Sequence, residues 1–302
     1  MYTDLFQLSV RVFNTNTKTV VVQTIKVTPD GFTDDEGDYR ISGVRSSGSP
    51  IKMTFLRPSG CMTGKTFPTG QRKDRITVPA PELQVSMISV DVTMIDAANP
   101  FIFVDAMSLP LVYQNLDADS EIMRQLMESV RRVGAVRMGL ATSTSEAALR
   151  QGTPKIALLS QPLISTALAK LEAIASPDIK VVAYSMGLVH PSLQLTGAVC
   201  LGVCSSIPGT VAHDLSNNTF NSLTLPPTPP NEKMDESLKD SGVRIVEDIL
   251  AQSLPFTRQV VVAHSSGQLE AEVDLVGEED VKSATVFRTA RRIFEGSIWY
   301  HT

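Results

Sequence analysis

Apolar and polar residues alternate from the start of the chain. Leu8, Val10 and Val12 are interleaved with Gln7, Ser9 and Arg11, the period of a half-buried strand. The turn-forming run Asn14-Thr15-Asn16-Thr17 follows, then the β-branched stretch from Val20 to Val27, so the opening reads as a hairpin. After an acidic, Gly-containing segment (Asp30 to Asp38) a further strand is predicted from Ile51 to Leu56. The apolar stretch from Val85 to Val104, broken at Asp96 to Pro100, predicts two strands joined tightly. Ile122, Leu126, Val130 and Val133 recur at helical spacing, with Asp117 or Ser120 as cap and Gly134 as stop. A short helix (Ser145 to Arg150) and a strand (Lys155 to Leu159) come next. They are followed by a helix from Pro162 to Ile174 and a strand from Ile179 to Val182. The Pro-rich run from Leu225 to Asp240 reads as a surface loop before a helix to Leu250. Strands are predicted at Gln259 to Ala263, Leu269 to Leu275 and Val281 to Phe287.

Strands cluster at both ends and do not alternate regularly with helices. The expected class is therefore α/β in the α+β sense, with mixed sheets wrapped on helices, and not a doubly wound nucleotide fold. The 302 residues are 42% hydrophobic and 20% charged, which excludes a disordered chain. A net charge of -5 argues against nucleic acid as partner, and no apolar run is long enough for a membrane span. The start has neither a basic nor an apolar leader segment, and the three cysteines (Cys61, Cys200, Cys204) form no metal pattern. A cytoplasmic setting is the expectation.

The Gly- and Pro-rich segment from Pro58 to Gly70 contains Gly64-Lys65-Thr66. Only three residues separate Gly60 from Gly64, where a phosphate-binding loop needs four, and Pro68 stands where its helix should begin. The segment reads as an ordered turn. Chemistry is better sought between Ser185 and Gly209. A turn-rich stretch with His190 runs into Thr196-Gly197-Ala198, and a helix of small residues then reaches about Ser206. Thr196 is a reasonable cap. An incompletely capped terminus would bind a carboxylate through its free amides and dipole, whereas the alternative is an ordinarily capped buried helix. His190 is open to a structural or a catalytic reading. The turn His264-Ser265-Ser266-Gly267 offers donors for a carboxylate or is a plain hairpin. His213 and His301 read as solvated positions. No metal site and no hydrolase elbow is found.

Nine pieces stand in an order that resembles one family. They are Phe67-Pro-Thr-Gly70; Ile95-Asp-Ala-Ala-Asn-Pro100 with Ile102-Phe-Val-Asp105; Gly134-Ala-Val-Arg-Met-Gly-Leu140; Thr153-Pro-Lys-Ile-Ala157; Ser185-Met-Gly187 with His190; Thr196-Gly-Ala198; Ile207-Pro-Gly-Thr210; His264 with Ser266-Gly267; and Ala290-Arg291 with Glu295-Gly296. The chain resembles the PrpF family, the 2-methylaconitate cis-trans isomerases and their methylitaconate and aconitate isomerase relatives, which have the diaminopimelate epimerase fold.

The resemblance implies two similar domains, each with a sheet wrapped on a central helix whose N-terminus faces the substrate carboxylates. It implies a cofactor-independent isomerase of unsaturated di- and tricarboxylic acids. Such an enzyme removes a proton beside a carboxylate and reprotonates an allylic carbanion. The substrate-binding residues carried over are Ser185, Met186, His190, Thr196, Gly197, Ala198, His264, Ser265, Ser266 and Gly267. The partner implied is a small carboxylate, with a homodimer as a further option.

The family pattern opens with Gly-Gly-Thr-Ser-Lys, a Ser-rich stretch with a Lys and a Gly-Asn-Cys-Gly-Asn-like motif. Together these supply the proposed Lys and Cys and the first central helix, and none occurs here. Residues 1–82 are accordingly expected to be a remnant of the first domain, and 83–302 the second, with the last strands in the second domain or returning to the first. A sheet face without its helix would expose apolar area. The catalytic base is unassigned, and a non-catalytic homologue that binds a carboxylate or a partner subunit stands as the alternative. A two-cysteine racemase of the same fold would need a thiol at Leu195. Cys200 and Cys204 fall inside the helix instead and read as core.

Overall fold

The computed structural model describes residues 6–80, 87–162, 176–221, 255–291, 296–297 and 299. The helices expected from Pro162 to Ile174 and up to Leu250, and the loop from Leu225, lie outside the described residues. In chain order the strands are β1 (Gln7–Asn14), β2 (Thr19–Lys26), β3 (Tyr39–Arg40), β4 (Ser47–Gly48), β5 (Ile51–Leu56), β6 (Asp74–Pro79), β7 (Met87–Ala97), β8 (Asn99–Asp105), β9 (Lys155–Ser160), β10 (Ile179–Ser185), β11 (Leu188–Val189), β12 (Pro255–His264), β13 (Gly267–Val276) and β14 (Asp280–Arg288). The α-helices are α1 (Leu111–Gln114), α2 (Glu121–Arg137), α3 (Thr144–Leu149), α4 (Leu195–Ser206) and α5 (Val211–Asn221).

Among the described residues twelve strands join in one mixed sheet of order β1-β2-β5-β14-β13-β12-β10-β9-β8-β7-β6, with β11 paired to β10. The pairings β8–β9 and β10–β12 are parallel, and the others are antiparallel. Among the described residues the expected wrapped sheets thus run on continuously through the β5–β14 pairing. Residues before 83 contribute β1, β2 and β5 at one end of the sheet and β6 at the other.

The two faces carry separate cores. One face wraps α4, and Phe101, Val260, Ala271, Val273, Ala284 and Val286 pack with its Ala198 to Cys204. On the other face Ile76, Val90, Met94 and Ile102 pack against Met123, Met127 and Val130 of α2. Helix α2 is capped by Ser120, whose side chain accepts from the Met123 amide. It does not stop at Gly134 but continues to Arg137. Gly134 is a close-approach residue, since a Cβ there would lie 2.2 Å from Ile102 Cδ1. Strand β6 was not expected, although Ile76 and Val78 alternate with exposed neighbours. Helix α5 was also not expected; the Thr210 hydroxyl caps it by accepting from the His213 amide.

The face that wraps α4 extends past it. Cross-strand partners share a face, and one row runs Val273, Ala284, Phe55, Val21, Val12. Its inner members are buried, whereas at the β1 edge Leu8, Val10 and Val12 are 49%, 42% and 40% exposed.

The segment from Pro58 to Gly70 is an ordered turn clasped by Asp96, which is fully buried at the end of β7. The Asp96 carboxylate accepts from the amides of Met62 and Thr63 at 2.8 and 2.6 Å, from the Thr63 hydroxyl at 2.9 Å and from the Cys61 thiol at 2.8 Å. Amides that a phosphate loop would offer to its ligand are spent on a carboxylate of the chain itself.

Candidate functional site

Helix α4 sits deep in the sheet because its residues are small. A Cβ on Gly202 would stand 3.0 Å from the Ala271 Cβ and 3.2 Å from a Val273 methyl. Its N-terminus begins earlier than the sequence implied. Gln194, not Thr196, is the cap residue, its carbonyl accepts the first helical bond from Ala198 at 2.9 Å, and its side chain makes no capping bond. The amides of Leu195, Thr196 and Gly197 therefore lack helical partners. Both polar atoms of the Gln194 side chain are buried and unpartnered among the described residues.

A concavity of about 550 Å³ opens at this terminus. Its walls are the segment 41–48, residues 191–195, the tip of the β12–β13 hairpin and residues 288–291 at the end of β14. It is lined by Arg288, Arg291, His264, Gln194 and several serines, and among the described residues no Asp, Glu, Lys or Cys lines it. Arg288 is half-buried, and its guanidinium donates to the Phe287 carbonyl at 2.9 Å. No carboxylate pairs with it among the described residues. Burial pushes its pKa below the ordinary arginine value, with the Tyr39 hydroxyl acting weakly the other way. A partly desolvated cation with no counter-ion among the described residues, beside free helix amides, is an environment for an anion.

The hairpin tip is fastened in place. The hydroxyls of Ser265 and Ser266 both donate to the Pro191 carbonyl, at 2.6 and 2.5 Å. Gly267, at φ +131, leaves no room for a Cβ, which would lie 2.5 Å from the Ser42 side chain. Ser42 Oγ accepts from the Gln268 amide at 2.9 Å, so the 41–48 wall is bound to the hairpin. His264 Nδ1 accepts from the Ser266 amide at 3.2 Å.

Of the residues carried over from the sequence, His264 and Ser266 line the concavity. Ser265 and Gly267 lie beside them in the hairpin. Thr196, Gly197 and Ala198 form the first turn of α4 behind the wall, the last two buried. His190 precedes the wall residues Pro191 and Ser192. Its amide donates to the Ala183 carbonyl at 2.8 Å and its Nδ1 lies 2.6 Å from the Ser192 carbonyl oxygen. Ser185 and Met186 are not brought to the concavity. They stand at the β10–β11 turn, where Met186 is 61% exposed at φ 53.

Sequence reasoning did not place Arg288, Arg291, Gln194 or Ser42 in the site. A signal existed for Arg288, because the strand period puts it on the face of Ala284 and Val286, where a charge must be paired or serve a ligand.

None of the three thiols lines the concavity. Cys200 and Cys204 are fully buried in α4, and burial raises both, Cys204 to about 12. Burial and then the Asp96 bond raise the half-buried Cys61.

The arrangement is an uncapped helix terminus opening on an arginine-lined concavity, in a mixed sheet wrapped on a small-residue helix. The PrpF protein family model matches residues 6–226, and the chain belongs to that family. It is 31% identical over 217 residues to a 2-methyl-aconitate isomerase of Shewanella oneidensis, a match covering 68% of this chain and 52% of that protein. With a 3-methylitaconate isomerase of Eubacterium barkeri it shares 27% over 295 residues, covering 95% and 66%. The chain thus spans about half to two thirds of the length of these curated relatives. The crystal structure of a methylitaconate-delta-isomerase superposes with a TM-score of 0.67 at 24% identity, covering 98% of this chain and 69% of that one. That likeness shows the fold, the diaminopimelate epimerase-like one expected from the sequence.

Proposed function

We propose that this chain acts on unsaturated di- or tricarboxylic acids of the aconitate and methylaconitate type, as an isomerase. A proton is removed from carbon next to a carboxylate, and the electron pair spreads over the allylic system and the carboxylate. A proton then returns at another carbon, or after rotation. The protein must stabilise the charge that develops on the carboxylate, and preorganised donors do this best. The observation that carries the reading is Arg288, half-buried and without a counter-ion among the described residues, on the same concavity as the uncapped terminus of α4. The names of the relatives agree with it.

The test is deuterium uptake. The chain, incubated with cis-aconitate in heavy water, incorporates deuterium at carbon adjacent to a carboxylate. A folded chain that binds the acid yet incorporates none is not the isomerase. One observation favours that second reading, a carboxylate-binding homologue without catalysis: among the described residues no Lys, Cys, Asp or Glu lines the concavity.

The same proposal places the protein in the cytoplasm and pairs it with a second copy. Light scattering then gives about twice 32.7 kDa. Among the described residues no helix is long and apolar enough to cross a membrane.

A further inference from the structure

The two histidines near α4 are held in opposite ways. A hydrogen bond from a backbone amide can only be accepted by an unprotonated ring nitrogen, and one to a carbonyl can only be donated by a protonated one. His264 Nδ1 accepts from the Ser266 amide, so in the neutral ring the proton is on Nε2. His190 Nδ1 lies 2.6 Å from the Ser192 carbonyl oxygen, closer than the 3.2 Å to the Ser192 amide, so there the proton is on Nδ1. With Nδ1 turned into the hairpin, the atom that His264 leaves for the concavity is Nε2. It has no partner among the described residues.

We propose that His264 serves this site as a neutral hydrogen-bond donor through Nε2, binding a substrate carboxylate, and is not the base that removes the proton. The assignment rests on reading the concavity as a carboxylate site. Among the described residues the charged and titratable groups facing His264 are Arg288 and Arg291 from the end of β14 and His190 from the segment before α4, and none of these is acidic. Burial first, then Arg288 and His190, push the His264 pKa below the ordinary histidine value, which keeps the ring uncharged at neutral pH. A donor of this kind polarises a carboxylate oxygen as charge develops on it without giving up its proton.

The chain has four histidines, few enough for ring-nitrogen NMR on the whole protein. At pH 7 without ligand, the resonances lost in His264→Gln are expected to show a protonated Nε2 and an unprotonated Nδ1, whereas His190 is expected to carry a proton on Nδ1. A protonated Nδ1 or a doubly protonated ring at His264 overturns the proposal, whatever binds. Binding is then measured with trans-aconitate. Glutamine can place an amide N–H near the position of Nε2, so His264→Gln binds within about threefold of the parent, whereas His264→Leu is weaker by roughly tenfold to a hundredfold. Equal binding by the leucine variant overturns the role. If trans-aconitate binds none of the three proteins, the carboxylate reading of the concavity fails, and the ligand assigned to His264 fails with it. Should the leucine variant not fold, the tautomer and the glutamine variant still decide.

Discussion

Replacing Arg288 by glutamine separates what this residue does for the fold from what it does for a ligand. In the fold the guanidinium makes one hydrogen bond, to the Phe287 carbonyl, and pairs with no carboxylate among the described residues. Losing that bond costs about 1 kcal/mol, and relief of a desolvated, unpaired cation offsets it. No buried anion is orphaned, which is what makes the breaking of an internal ion pair so costly. Arg288→Gln is therefore expected to stay within about 1 kcal/mol of the parent in stability, a few degrees in Tm. For a bound carboxylate the loss is one charge-assisted hydrogen bond, about 1.5–3 kcal/mol, or roughly tenfold to a hundredfold in Kd. Isothermal titration with trans-aconitate, beside thermal melts, reads both quantities. An unchanged Kd refutes the reasoning, as does a collapse in stability with Kd intact, which would make Arg288 a structural residue.

Three other perturbations test the packing and the electrostatics. Asp96→Ala leaves the Met62 and Thr63 amides without their acceptor and is expected to cost about 3 kcal/mol or more in urea unfolding, while Asp96→Asn costs less because one amide oxygen still accepts from them. Gly134→Ala forces Ile102 aside and costs about 1–3 kcal/mol, and adding Ile102→Val, which removes the clashing Cδ1, recovers most of it. Burial lowers the pKa of His264 and of His213, with Arg288 and Arg258 respectively as the next cause. Below about pH 6.5 the unfolded chain then binds more protons than the native one. The stability these groups contribute is fully present above that pH and is lost as pH falls through the folded values. A urea midpoint with the same slope between pH 7 and 5 in the His213→Gln/His264→Gln double variant would contradict this.

Much of the frame was legible because periodicity survives folding. The opening hairpin, β5, β12 to β14 and the apolar stripe of α2 follow from alternation or helical spacing. The central position of α4 followed from its small residues, since only Gly and Ala allow so close an approach to β13. Strand β6 went unseen because it is short and lies between a Gly-rich turn and a Pro. The cap at Gln194 was missed because its side chain makes no capping bond, so the helix start carries no Ser, Thr or Asp signature. The 41–48 wall was beyond sequence reasoning. It reaches the site through the Ser42–Gln268 bond, between residues 226 apart, and no local pattern encodes that contact. The same holds for Arg288, which becomes a site residue only when the end of β14 is brought beside the terminus of α4.

A crystal structure of this chain with trans-aconitate tests the central claim most directly. The account predicts a carboxylate at the N-terminus of α4, within hydrogen-bonding distance of its first free amides and of the Arg288 guanidinium, with His264 Nε2 donating to the ligand. A ligand bound away from the α4 terminus, or one held there with Arg288 and His264 turned aside, would contradict it.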